Sequence, residues 1–265
     1  MARKPNCIKV AARQYPVTTY YSKVTKKDYC EAAYRKVKKI HETLPAGGIL
    51  VFLTGKKEIN YLCQRLKLEL NKEPEDVDMS EDDGGEESKV KSTLAQPKVL
   101  ILPLYSQLSP ERQYRVFKTP ADENVRVIVV ATNVAETSLT IPGMRYVVDS
   151  GRSKEKLYDT KLQISKFAIQ WISMASAEQR AGRAGRTGPG HCYRLYSSAL
   201  FSKMEEFSDP EILKAPLDQT ILQLKAIGTK DIFKFPFVTM PAMAPIKAAL
   251  RHLTILGALD VTDRR

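Results

Sequence analysis

Gln179, Arg183 and Arg186 stand within one short run, Ser176-Ala-Glu-Gln-Arg-Ala-Gly-Arg-Ala-Gly-Arg-Thr-Gly-Pro-Gly190, and together offer the side chains that phosphoryl chemistry uses. Ser176 precedes good helix formers, with Gln179 three residues later, and this predicts a helix that begins there. On such a helix Gln179, Arg183 and Arg186 fall at i, i+4 and i+7 and share a face. Two guanidiniums and an amide projecting together suit a polyphosphate, because planar cations pair with its oxygens and the amide can orient a water. Gly182 and Gly185 carry no side chain, so a second surface can approach closely. The plainer alternative is a capping box followed by a solvated arginine face. Two glycines inside a helix cost about 1 kcal/mol each relative to alanine. A helix that docks against something offsets that cost; a solvated one does not.

Gln179 to Arg186, followed by Thr-Gly-Pro-Gly-His-Cys-Tyr-Arg-Leu-Tyr196, resembles motif VI of the DEAH-box RNA helicases of superfamily 2. The resemblance implies that Gln179 positions the attacking water, that Arg183 and Arg186 are arginine fingers, and that Gly182 lies with them against the nucleotide. Thr132-Asn-Val-Ala-Glu-Thr-Ser-Leu-Thr140 is similar to motif V. By that likeness Thr132, Asn133 and Thr137 line the RNA path and Ser138 reports the nucleotide state; an Asn/Thr loop making its own turns is the alternative. Phe52-Leu-Thr-Gly55 resembles motif IV, whose Thr54 and Gly55 would touch the nucleic-acid backbone, although a simple strand-to-helix turn reads equally well. In Arg115-Val-Phe117 the family's phenylalanine stacks on adenine, which places Phe117 at the base, or else in the core. Pro142 stands where many relatives carry an aspartate that contacts the ribose, which implies looser ribose selection.

Other elements must position these residues. Short apolar runs at Ile49–Leu53, Val99–Leu102, Arg126–Ala131 and Tyr146–Asp149, and the run His191–Tyr196, read as strands, the first of them buried on both faces. Tyr15–Tyr21 reads as an edge strand. Helical periodicity marks Lys27–Thr43 and a second helix through Leu62, Leu66 and Leu70. Ser109-Pro110-Glu111 opens a third helix that runs to Phe117. Alternation of strands and helices predicts an α/β fold with a parallel sheet flanked by helices, of the RecA-like type in the P-loop NTPase superfold. Ligands in such sheets bind beyond the carboxyl ends of the strands. Lys154–Ile172 predicts a β-hairpin, at the place where the family has one that separates or strips RNA. Its Lys154, Lys156, Lys161 and Lys166 favour RNA contact over a purely structural hairpin. From residue 207 two helices follow, Pro216–Ile227 closed by Gly228 and Ala244–Leu256 closed by Gly257. Residues 1–206 are therefore expected to form the second RecA-like domain, and 207–265 the start of a winged-helix domain, not completed within the sequence.

The net charge is +12 over 265 residues. Nine acidic residues and no basic ones lie between Glu73 and Glu87. The other 21 acidic residues face 42 lysines and arginines, the electrostatic footprint of a nucleic-acid binder. The stretch 71–96 is poor in aliphatics and is expected to be disordered, a solubilising loop or one that competes with RNA for the basic groove. Four cysteines without paired spacing point to a reduced, intracellular setting, and no apolar run approaches the roughly 20 residues of a membrane span.

No Gly-x-x-x-x-Gly-Lys-Ser/Thr and no Asp-Glu-Ala-His occurs in the sequence; Thr54-Gly-Lys-Lys57 fails the spacing. The resemblance therefore implies the second motor half of an ATP-dependent RNA helicase, inactive alone. ATP, or another NTP, with Mg²⁺ would be held mainly by the first RecA-like domain, the nearest partner. Gly-Arg-Ser-Lys154, Pro142 and His191–Ser198 look most like the nucleolar ribosome-biogenesis branch. That implies pre-rRNA or small nucleolar RNA as target, a G-patch-type or ribosome-assembly activator, and the nucleolus of the nucleus as location. A non-catalytic RNA-binding scaffold with the same fold is the competing class, and a DNA helicase half a third.

Overall fold

The computed structural model describes residues 15–71, 98–122, 124–137, 140–159 and 164–260. Most of the acidic stretch, Ser138 and the turn of the hairpin lie outside them, as do the side chains of Thr137, Asp159 and Ile164. Two compact units emerge, one from residues up to 153 with 171–206, the other from 154–170 with 207–265.

In the first unit the chain runs β1 (Val17–Tyr21), α1 (Tyr29–Thr43), β2 (Gly48–Phe52), α2 (Lys56–Leu70), β3 (Val99–Leu104), α3 (Pro110–Tyr114), β4 (Arg126–Ala131), α4 (Val134–Thr137) and β5 (Met144–Asp149). After the ribbon β6 (Arg152–Asp159) and β7 (Ile164–Trp171) come α5 (Met174–Gly182), β8 (Gly190–Arg194) and α6 (Ser198–Phe201). Six strands form one sheet in the order β1-β8-β5-β2-β4-β3, and every pairing is parallel. This is the parallel α/β sheet expected from the alternation, with β1 at one edge.

The apolar run at β2 explains its central place. All five residues are buried, since a strand between two neighbours with helices on both faces meets no water. Its side chains alternate in the manner of any strand. Ile49 and Val51 join α1 and α2 through Val37, Ile40, Leu62 and Leu66. Leu50 and Phe52 pack on the opposite face with Val116, Ala181 and Ala184. The sheet thus presents the carboxyl ends of β2, β4 and β5 side by side, with Phe52 in register with Ala131 and with Asp149.

At the other end of the strands, buried Arg126 ties α1 to the sheet. Its guanidinium donates to the carbonyls of Ile40 (2.9 Å), Leu44 (2.8 Å) and Pro45 (2.7 Å), holding the helix end where the backbone leaves its own hydrogen-bond ladder. His41 lies beside it, 4% exposed, and neither ring nitrogen has a hydrogen-bond partner among the described residues. Burial, with the nearby Arg126 charge, holds its pKa below the ordinary 6.5. A base depressed in the folded state takes up a proton more readily when unfolded, so stability is complete above about pH 6.5 and falls as pH drops below it. Urea midpoints at pH 7.5 and 5.5 should therefore differ less in His41→Leu than in the parent; an equal difference would assign the pH dependence to other groups.

In the second unit β6 and β7 pair as a two-stranded ribbon, β6 opening two residues before the predicted start. Helices α7 (Asp218–Ala226) and α8 (Met243–Ile255) pack through Ile221, Leu224, Ile246, Leu250 and Leu253. Each is closed by the expected glycine in a left-handed conformation, Gly228 at φ 91° and Gly257 at φ 71°.

Candidate active site

Helix α5 starts at Met174, not Ser176. Its cap is Ser173, in extended backbone, whose Oγ accepts from the Ser176 amide at 3.2 Å. Ser176 is inside the helix because its hydroxyl is used elsewhere, donating to Glu136 Oε2 at 2.6 Å. After Gly182 the helix tightens into a 3₁₀ turn over Arg183–Gly185. Despite the tightening, Gln179, Gly182, Arg183 and Arg186 line one concavity of about 440 Å³, together with Glu136, Ala175 and Glu178. Gln179 and Arg186 are exposed, while Arg183 is buried along most of its length.

Arg180, on the inward face of the same helix, organises what lies beneath. It is fully buried and forms ion pairs with Glu136 (2.6 Å) and Asp149 (2.8 Å). Its Nη1 also donates to the Arg152 carbonyl at 3.2 Å, and the guanidinium lies over the Phe52 ring, 4.8 Å from the centroid. Asp149 accepts in addition from the Tyr196 hydroxyl at 2.9 Å and the Gly151 amide at 2.9 Å. Burial works against the Arg180 charge, but Asp149 and Glu136 together hold its pKa above the ordinary value. Buried ions of this kind persist only when every partner is supplied.

The concavity holds two carboxylates, and each is engaged by an arginine from below. Glu136 pairs with Arg180, and Glu178 with buried Arg194 at 2.7 Å. The cations facing the opening are Arg183 and Arg186. Burial, and then the like charge of Arg186, lower the Arg183 pKa. Two cations held close in a partly desolvated site repel each other, and a polyanion between them relieves that repulsion. The donor set therefore fits a polyphosphate.

The other predicted residues are distributed as follows. Thr132 and Asn133 follow β4, with Asn133 exposed and Thr132 Oγ1 accepting from the Val134 amide at 3.5 Å. Thr54 and Gly55 follow the adjacent β2. Thr54 is buried, and its hydroxyl donates to Glu58 at 2.5 Å, so Gly55 is the part of that pair nearer the surface. Phe117 closes a 3₁₀ turn and packs against the core beside Val116, outside the concavity. Thr137 ends α4, while Ser138 falls outside the described residues. Lys154 and Lys156 are exposed in the second unit, with Lys154 Nζ 5.1 Å from the centre of the Phe167 ring. A larger concavity of about 810 Å³ lies at the opposite ends of the strands, beside Gly48, Arg126 and Met144, away from these residues.

Sequence reasoning gave no role to Arg180, Glu136 or Asp149. A spacing signal existed, because Ser176, Arg180 and Arg183 also fall at i, i+4 and i+7 and form the face turned to Glu136. Gly185 was read as room for a docking surface. Its neighbour is internal: a Cβ there would sit 2.6 Å from the Tyr15 carbonyl oxygen and 2.8 Å from Val17, so the glycine admits the start of β1.

The profile of the helicase conserved C-terminal domain matches residues 32–188. The chain belongs to that family. Within it, the domain has the DEAH character read from the motifs. It is 42% identical to the "Probable ATP-dependent RNA helicase DHX37" of Homo sapiens, over 98% of this chain and 28% of that protein. It is also 42% identical to the "Probable ATP-dependent RNA helicase DHR1" of Saccharomyces cerevisiae, over 97% of this chain and 25% of that protein. The solved Escherichia coli DEAH/RHA helicase HrpB superposes with a TM-score of 0.77 at 30% identity, over 95% of this chain and 29% of that one. This helicase domain spans about a quarter of the length of these relatives.

Proposed function

We propose that this domain is the second motor half of an ATP-dependent DEAH-box RNA helicase that remodels RNA or RNA–protein complexes. The observation that carries the reading is the convergence of Gln179, Gly182, Arg183 and Arg186 on one concavity whose carboxylates are already engaged. Gln179 orients the attacking water, its amide offering both donor and acceptor. Arg183 and Arg186 meet the negative charge that develops in phosphoryl transfer. Bound ATP supplies the phosphoryl group, with Mg²⁺, and both are held mainly by the first RecA-like domain. By the resemblance, Phe117 stacks on the adenine base, outside the concavity, and Ser138 reports the nucleotide state. Thr132, Asn133, Thr137, Thr54 and Gly55, beyond the carboxyl ends of adjacent strands, form the first unit's part of the RNA path, and Lys154 and Lys156 are RNA contacts of the hairpin. Residues 207–265 begin a winged-helix domain. The likeness to the nucleolar branch, with the identity to DHX37 and DHR1, supports ribosomal small-subunit or rRNA processing in the nucleolus. Pre-rRNA or small nucleolar RNA is then the substrate, and a G-patch-type or ribosome-assembly protein the activator.

RNA-stimulated ATP hydrolysis should be absent from this domain alone and appear when the first motor domain is added. RNA affinity of the domain alone should fall steeply with salt. If the two domains associate and bind RNA but the mixture stays inactive, a binding scaffold is the better reading.

A further inference from the structure

We propose that Glu136 is a positioning residue that aims Arg183, its own side chain being fixed by Arg180 and Ser176. The inference rests on the finger role proposed for Arg183. Glu136 sits in α4, and everything it offers is taken by one face of α5 and the turn after it. Its Oε2 accepts from Ser176 at 2.6 Å, its Oε1 pairs with Arg180 at 2.6 Å through Nη2 and 2.7 Å through Nε, and its main-chain carbonyl accepts from Arg183 Nη2. Ser176, Arg180 and Arg183 are thus three successive positions on a single stripe, all directed to one residue.

The division of labour matters for charge. Arg183 is held by a carbonyl, which fixes direction without cancelling a full positive charge. The Glu136 carboxylate, at the far end of the side chain, is turned instead to Arg180 and Ser176. Arg180 in turn is anchored by Asp149 at the end of β5, which fixes the Glu136 side chain as well. The same residue follows Thr132 and Asn133 by one helical turn, the Glu136 amide donating to the Asn133 carbonyl at 2.9 Å. Movement of the Thr132–Asn133 turn therefore carries with it the carbonyl that holds Arg183.

Glu136→Ala keeps the main-chain carbonyl but releases α4 from Ser176 and Arg180, which hold that carbonyl in place. A full-length helicase carrying it should lose about 100-fold in RNA-stimulated kcat, the scale of a misaimed group, with KM for ATP changed less than about threefold. Glu136→Gln, nearly isosteric, should lose activity in the same direction, because its amide sets donors against Arg180 donors. Ser176→Ala, which removes a single bond to the same carboxylate, should lose less, and serves if the Glu136 variants unfold. The deciding measurement is a double-mutant cycle with Arg183→Ala. Positioning through Arg183 requires that Glu136→Ala, or Ser176→Ala, cost nothing further once Arg183 is gone. Additive losses would overturn the proposal and leave a structural role, as would full activity in both the Glu136 and Ser176 variants. Normal turnover in Arg183→Ala alone would remove the finger reading and this proposal with it.

Discussion

Arg186→Ala in the full-length helicase is expected to reduce RNA-stimulated ATP turnover by about 10³-fold or more, the range in which arginine fingers act. Arg186 is exposed on the rim of the concavity and has no carboxylate partner among the described residues. Its removal breaks no hydrogen bond or ion pair among the described residues, so the thermal midpoint should stay where it is. Arg183→Ala should match the loss of turnover. It also gives up the bond to the Glu136 carbonyl, at about 1 kcal/mol of folding stability. Arg186→Lys keeps the charge but loses the planar fork and should recover only a small part of the rate. Single-turnover hydrolysis with saturating RNA and ATP is the measurement, and near-parent rates in Arg186→Ala would remove Arg186 from the chemistry.

The second large effect is on folding. Arg180→Ala is expected to destabilise the domain by about 3–5 kcal/mol, the cost of leaving buried ions unpaired, here Asp149 and the less buried Glu136. The urea midpoint should fall in proportion. Adding Asp149→Asn to Arg180→Met should restore part of the loss, since the fully buried charge is then gone. A drop below about 1 kcal/mol in the single variant would mean that water or rearrangement satisfies both carboxylates, and that the cluster is no pillar of the fold.

The centre of the sheet was legible because β2, β3, β4 and β5 are short apolar runs, and β2, buried on both faces, is the clearest of them. The glycine stops after α7 and α8 were legible for an equally local reason. The concavity was legible as well: Gln179, Arg183 and Arg186 keep one side even though the helix gives way to a 3₁₀ turn between them. The cap was misplaced because Ser173 and Ser176 are both good capping residues. Only the position of Glu136, forty residues away in sequence, decides which hydroxyl remains for the helix end. Gly185 failed similarly, since its reason is the passage of Tyr15 and Val17 on the far side of the sheet order. Arg180 was hidden by type: an arginine on a helix suggests solvent, and its burial depends on two carboxylates, one from α4 and one from the end of β5. Local pattern carries elements; long-range pairing of polar groups does not show in it.

Strand β8 sits between β1 and β5, and Val17 pairs with Gly190 across nearly the whole domain. During synthesis β1 therefore waits for a neighbour until almost all of the domain has left the ribosome, and β5 is an unprotected edge for the same interval. Pairings so distant in sequence are slow to form and expose edges while they do. The segment that bears Gln179, Arg183 and Arg186 lies immediately before the strand that closes the sheet. A nascent or truncated domain then has no assembled fingers, and β1 and β8 should gain protection from amide exchange in the same late step.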